Sequence, residues 1–334
     1  MGSEIKLKTL LLIGYGGIAR RHLANIKKLA ADVDVLVLRQ SKPVLEAADD
    51  WASVTVSFAD ALAFAPDAAI IASPASCHVD QALALAKINT HLLIEKPLSV
   101  SMDGVDLLLR ECSARGLTLM VGYNIAFSKA LWAIKEQLDT GSIGKVISIH
   151  AEVGQYLPDW RPDKDYRETV SANGELGGGV LFELSHELDY VNWLLGKIRS
   201  VTCSLKRTGE LDMDVEDSAT LIIEGTSEEM ASIHLNMVQK IPSRTCRIVG
   251  TKGLIFWDYL ENSVEIRCEG ERQSRQLTLP LRDGNTVYLE QLSHFFDCVA
   301  GEKTPLVDGM RAKRALEIIL AAKESAKEGR RVCL

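Results

Sequence analysis

A chain of 334 residues exceeds what one hydrophobic core usually fills, which predicts two domains. Hydrophobic residues make up 47% and charged residues 25%, the balance of an ordinary globular protein. The formal net charge of -7, with no run of lysine and arginine to offset it, excludes nucleic acid and anionic membranes as main partners.

From Lys8 to Val121, short apolar runs alternate with amphipathic segments. Thr9–Ile13, Val33–Leu38, Val54–Val56, Ala68–Ala72, His91–Glu95 and Thr118–Val121 predict strands buried on both faces. Gly17–Leu29, Ala75–Lys87 and Ser101–Arg115 predict the helices between them. Strand and helix in alternation require an α/β fold, here a Rossmann-type doubly wound parallel sheet with right-handed crossovers.

The first strand runs into Gly14-Tyr15-Gly16-Gly17-Ile18-Ala19, a G-x-G-x-x-G/A fingerprint. Gly14 permits the turn, Gly16 lets backbone approach a pyrophosphate, and Ala19 lets the helix pack closely on the strand. The free N–H groups of the helix then face the phosphates. Gly14, Tyr15, Gly16, Gly17 and Ile18 are therefore candidate dinucleotide contacts. The tip of the second strand reads Arg39-Gln40-Ser41-Lys42, without the carboxylate that holds the ribose 2′-hydroxyl of NAD(H). Arg39 and Ser41 suit a 2′-phosphate, so NADP(H) is favoured over NAD(H).

The fifth strand ends in Glu95-Lys96-Pro97. Ligands bind beyond the carboxyl ends of parallel strands, and an ammonium there can stabilise the alkoxide that forms as a hydride leaves. Pro97 ends the strand and limits the backbone freedom of Lys96.

Beyond Asn124 the pattern changes. Lys129–Leu138 predicts a helix, and Lys145–Gly154, Ser200–Lys206, Ser218–Glu224, Met230–Met237, Thr245–Val249, Leu254–Trp257 and Ser263–Cys268 predict a largely antiparallel open sheet. The expected division is a dinucleotide-binding domain over 1–122 and an α+β substrate-binding domain over 123–334. Between Gln155 and Ala172 an aperiodic stretch of aromatics, charges and prolines predicts an ordered functional loop. Trp160 and Tyr166 can pack on a sugar face. Arg161 and Arg167 can either bind a carboxylate or phosphate, or pair with the neighbouring aspartates. The seven cysteines (77, 112, 203, 246, 268, 298, 333) are scattered and lack C-x-x-C spacing, which predicts free thiols in a reducing cytoplasm and no metal site. No apolar stretch approaches the roughly 20 residues of a membrane helix, and no cleavable signal pattern opens the chain.

Together these motifs resemble the Gfo/Idh/MocA oxidoreductases. Beside the fingerprint and Glu95-Lys96-Pro97, Ile71-Ala72-Ser73-Pro74 with His78 resembles the family's turn beside the cofactor, and Gly122-Tyr123-Asn124 its entry to the second domain. Gly177-Gly178-Gly179 followed by His186-Glu187-Leu188-Asp189 resembles its glycine-rich turn and H-x-x-D helix, and Gly329-Arg330-Arg331-Val332 its closing segment. The resemblance implies that Lys96 and His186 are a catalytic pair acting on a sugar-type alcohol or ketone, and that Ser73, Pro74, His78, Glu95 and Lys96 border the cofactor. It also implies that Asn124 and Asp189 border the substrate, that the last helix, 310–327, packs back on the first domain, and that the second sheet joins subunits in a homodimer or homotetramer. A histidine suits the acid/base role because it titrates near neutrality. Two positions depart from the pattern. Phe182 stands where relatives carry an acid four residues before the histidine, leaving Glu183, three before, as the candidate acid. Ala126 stands where relatives of this form carry arginine.

Three functions fit these residues: reversible hydride transfer at a sugar alcohol, a non-enzymatic dinucleotide-binding sensor, and a hydrolase or lyase that oxidises transiently and returns the hydride. The presence of both Lys96 and His186 favours catalysis over sensing.

Overall fold

The computed structural model describes residues 7–40, 51–280 and 283–334. They form two compact units, one within Met1–Asn124 plus Asn285–Lys313, the other Ile125–Gly284 plus Arg314–Leu334.

In the first unit, the described strands are β1 (Thr9–Ile13), β2 (Asp34–Leu38), β3 (Ser53–Thr55), β4 (Ala68–Ile71), β5 (His91–Ile94) and β6 (Leu119–Val121). They pair in parallel in the order β3-β2-β1-β4-β5-β6, the doubly wound arrangement whose switch point lies between β1 and β4. Leu10, Leu11, Leu12, Ile70, Ile71, Leu92, Leu93 and Ile94 have no more than trace exposure, as continuous apolar strands covered on both faces must. Helix α1 (Gly17–Leu29) buries Ala19, His22, Leu23 and Ile26, one stripe at helical spacing. α2 (Phe58–Ala63), α3 (His78–Lys87) and α4 (Val105–Ala114) complete this stretch. α4 starts four residues later than the sequence pattern suggests, after Gly104 in a left-handed conformation.

The second unit contains α5 (Lys129–Asp139), β7 (Val146–Tyr156), α6 (Val180–Glu183), α7 (His186–Leu195), β8 (Ile198–Lys206), β9 (Ser218–Gly225), β10 (Met230–Asn236), β11 (Val238–Gly250), β12 (Gly253–Asp258), β13 (Ser263–Cys268) and β14 (Arg275–Gln276). β7 and β10 are parallel and the other neighbours antiparallel, so the sheet is mixed and mostly antiparallel. One face buries Ile149, Val153, Leu221, Ile233, Ile248, Ile255, Trp257 and Ile266. On the other, Ser148, His150, Thr220, Ser232, His234 and Arg247 remain partly or fully exposed. β11 is far longer than the expected Thr245–Val249 because it continues through a register shift between Val238 and Ser243.

The chain then returns to the first unit as α8 (Thr286–Val299). The Arg21 guanidinium lies 4.3 Å over the Tyr288 ring, and the Asn25 and Asn285 amides bond each other at 2.8 and 3.3 Å. α9 (Gly309–Glu328) begins in this unit, where Lys313 pairs with Asp106 at 2.7 Å. From Arg314 onward it belongs to the second unit: Ser325 Oγ accepts the Cys203 N–H at 2.9 Å and Lys323 stands 3.5 Å from Glu216. β15 (Val332–Cys333) closes the sheet edge beside β8. No helix of the described residues is long and apolar enough to cross a membrane.

Candidate active site

Gly14 has φ +102° and donates its N–H to Leu38 O at 2.9 Å. A Cβ there would lie 2.6 Å from the Ala72 carbonyl oxygen, so only glycine joins β1 to α1 this close to β4. Gly16 is the contrast. It is exposed, and a Cβ on it would meet nothing within 4 Å. It is also the N-cap of α1 and supplies no side-chain cap, which leaves the first N–H groups of the helix facing that open space. Gly17 is exposed and Ile18 half-buried beside it. The Arg39 guanidinium is stacked 3.6 Å over the Tyr15 ring, and its Nη1 is buried without a hydrogen-bond partner among the described residues. Ser41 lies outside the described residues. An open cradle, an uncapped helix terminus and an unspent guanidinium fit a dinucleotide with its phosphates over Gly16.

The neighbouring strand ends follow. Ser73 and Pro74 are half-buried after β4, and Ser73 Oγ donates to Gln81 Oε1 at 2.6 Å. His78 is 1% exposed, with Nδ1 2.9 Å from Pro97 O and Nε2 2.9 Å from Ser73 O. The ring ties the turns at Ser73 and Pro97 together. Burial holds its pKa below the ordinary value, against the pull of the two carbonyls. Lys96 is half-buried directly beyond β5, and its peptide to Pro97 is cis. Glu95 Oε1 lies 2.6 Å from His22 Nε2. Asn124 is 5% exposed, and its Oδ1 has no hydrogen-bond partner among the described residues.

In the second unit, a Cβ on Gly178 would lie 2.3 Å from Val170 O, so the glycine run lets 177–179 press against the preceding turn. α6 follows, with Phe182 buried beneath Lys323, whose Nζ is 4.7 Å from the ring centroid, and with Glu183 half-buried. The departure at Phe182 thus places an apolar ring in the core, where an acid would be costly. α7 opens with His186, half-buried, while Glu187, Leu188 and Asp189 are 0–1% exposed. The helix is held by a buried pair that sequence reading missed: Arg244 Nε lies 3.0 Å from Glu187 Oε1, and Arg244 Nη2 donates to Oε2 at 3.4 Å. Ala126 is 2% exposed.

The 157–172 loop is a series of single 3-10 turns. Arg167 is committed to Asp165, at 2.5 Å, and to Asp212, at 3.5 Å, and these carboxylates hold its pKa above the ordinary value. Tyr166 accepts the Asp212 N–H through its hydroxyl at 2.9 Å. With Leu157, Trp160, Arg161 and Thr169 it lines a cavity of about 10 Å³. Arg161 is exposed, with no ion pair among the described residues.

The chain is 27% identical to myo-inositol 2-dehydrogenase of Thermotoga maritima, over 97% of each chain. It is 28% identical to 2,7-anhydro-N-acetylneuraminate hydratase of Escherichia coli, over 61% of this chain and 55% of that protein. The WlbA dehydrogenase of Bordetella pertussis, solved with NADH and UDP-GlcNAcA, superposes with a TM-score of 0.83 at 21% identity, covering 98% of this chain and 99% of that one. Residues 8–123 match the "Oxidoreductase family, NAD-binding Rossmann fold" and residues 135–334 the "Oxidoreductase family, C-terminal alpha/beta domain". The chain belongs to the Gfo/Idh/MocA oxidoreductase family.

Proposed function

We propose that this oxidoreductase moves a hydride between a nicotinamide cofactor and a secondary alcohol or ketone of a sugar or cyclitol. The observation that carries the reading is Lys96, presented directly beyond β5 in a sheet whose fingerprint turn is open at Gly16. When bound, the cofactor supplies or accepts the hydride at its nicotinamide ring. The Lys96 ammonium stabilises the substrate oxygen as it gains charge, and His186 exchanges the hydroxyl proton. Glu183 is the candidate acid beside His186, with Asn124 and Asp189 bordering the substrate. Arg39, presented on Tyr15 with no ion pair among the described residues, favours NADP(H), and Arg161 favours an anionic sugar such as a sugar acid or nucleotide sugar. The partly polar open face of the second sheet is the surface through which copies would join as a homodimer or homotetramer, and the free thiols suit the cytoplasm.

The test is a panel of cyclitols, sugar acids and UDP-sugars with each dinucleotide, followed by nicotinamide absorbance. Lys96→Met and His186→Asn should each lower kcat by about 10²–10⁴. Activity in either variant equal to the parent's removes the assignment, and tighter binding of NAD(H) than NADP(H) removes the cofactor preference. Unchanged KM for acidic sugars in Arg161→Ala removes the anionic-substrate reading. The hydratase relative supports a second reading, in which oxidation is transient and the hydride returns to the substrate. Product formation with no net change in nicotinamide absorbance would select it.

A further inference from the structure

Lys96 is flanked by two residues that are each fastened to a buried histidine, and the two histidines stand on different helices. On one side, Glu95 Oε1 lies 2.6 Å from Nε2 of His22, which is 0% exposed on α1. The other carboxylate oxygen accepts the backbone N–H of Lys96 itself at 3.3 Å. It lies so close to Gly122 that a Cβ there would come within 2.8 Å of it. On the other side, the Pro97 carbonyl is 2.9 Å from Nδ1 of His78, the first residue of α3, whose second nitrogen faces Ser73 O. Three separate motifs therefore meet on one carboxylate: the fingerprint helix through His22, the lysine strand through Glu95, and the Gly122-Tyr123-Asn124 turn.

α1 is the helix whose N-terminus borders the open phosphate cradle at Gly16, and His22 lies on its second turn. We infer that His22 is a positioning residue for Lys96. Acting through Glu95, it makes the placement of the lysine depend on the same helix that receives the dinucleotide. A side chain that only stabilised the fold would have no reason to bond the one carboxylate that also holds the lysine's own N–H. The inference rests on Lys96 being catalytic, so its test includes a reading of the lysine that needs no turnover.

His22→Leu keeps apolar bulk and removes the donor, and His22→Gln retains one. Both are compared with the parent for thermal unfolding, NADPH dissociation constant by fluorescence, and kinetics on myo-inositol or UDP-N-acetylglucosamine, whichever the parent oxidises. His22→Leu should lower kcat about tenfold or more while sugar KM stays within about threefold, because misplacement costs the reaction more than it costs binding. His22→Gln should recover most of the loss. In parallel, modification of Lys96 by trinitrobenzenesulfonate, followed by mass spectrometry, should change about threefold or more in His22→Leu, with Lys135 on α5 unchanged. If His22→Leu does not fold, Glu95→Gln takes its place, since it keeps an acceptor for the Lys96 N–H but loses the carboxylate–imidazole bond. Parent-like kcat and parent-like Lys96 reactivity in a folded variant would overturn the inference. So would a uniform loss of stability, cofactor affinity and kcat that His22→Gln fails to rescue. Failure of the parent to oxidise any sugar strikes the proposed function alone, because the Lys96 labelling still decides the positioning role.

Discussion

Two glycines two residues apart should respond in opposite ways to the same added methyl group. In Gly14→Ala the new Cβ enters a site with φ +102° and approaches the Ala72 carbonyl oxygen to 2.6 Å and its carbon to 2.9 Å. The left-handed conformation costs about 1–2 kcal/mol and the overpacking about 1–3, so the first unit should lose about 2–5 kcal/mol. Gly16 has φ −72°, ordinary for alanine, and its Cβ meets nothing within 4 Å. Gly16→Ala should therefore cost at most about 1 kcal/mol, the effect of a poorer N-cap. Its consequence should appear only when the dinucleotide is added, because the methyl group occupies the space the pyrophosphate needs. A loss of about 1.4 kcal/mol or more in binding is a tenfold or greater rise in the NADPH dissociation constant. Denaturant unfolding without dinucleotide and fluorescence titration with NADPH separate the two effects. Parent-like NADPH affinity in Gly16→Ala would show that the phosphates do not sit on this turn. Parent-like stability in Gly14→Ala would show that the close approach to Ala72 is wrong.

Glu187→Gln leaves the Arg244 guanidinium, 11% exposed, without its counter-charge and should destabilise the second unit by about 3–5 kcal/mol; the double variant Glu187→Leu with Arg244→Met should recover much of that in urea unfolding. A single variant as stable as the parent would mean the pair does not hold α7. Burial pushes the Asp67 carboxyl up, but the N–H groups of Lys8 and Thr9, the Thr9 hydroxyl and the Lys8 charge together bring it below its ordinary value. Its stabilisation is thus present above the unfolded-state value of about 3.9 and lost as pH falls through the lower folded value. Asp67→Asn should be less stable at neutral pH by about 1 kcal/mol and should show a shallower acid limb; an identical limb refutes the role. Among the cysteines, a thiol reagent should modify exposed Cys333 first and half-buried Cys77 and Cys268 slowly. Burial pushes Cys203 and Cys246 up to about 12 and Cys112 and Cys298 up to about 11, so these four should react only on unfolding. Rapid modification of all seven in the native protein would contradict the packing.

The parallel sheet was legible because strands covered on both faces need no alternation: each apolar run between turn residues is a strand, and all six helical boundaries at α1, α5 and α9 fall within a residue of the pattern. α8 escaped although its buried positions, 287, 291, 295 and 299, keep helical spacing, because Gln291 interrupts the apolar stripe. α2 is short, but Ser57 accepting the Asp60 N–H is a readable start signal. β11 hid its first half because Ile241, 83% exposed beside Pro242, breaks the alternation. The candidate site divided along a similar line. Gly14, Gly16 and Lys96 are set by local backbone, at the ends of β1 and β5. Pairs that depend on a distant partner do not declare themselves: His22 with Glu95, and Glu187 with Arg244.

The return of Asn285–Lys313 to the first unit bears on how the protein is made and dissected. During translation the early sheet must wait for a late segment before the Val121 N–H finds Val307 O and before α1 gains Tyr288 and Asn285. Until then a strand edge and a helix flank stay uncovered, a standing invitation to aggregation. Anyone excising the dinucleotide-binding half for separate expression should splice that distal stretch back on rather than stop at Asn124.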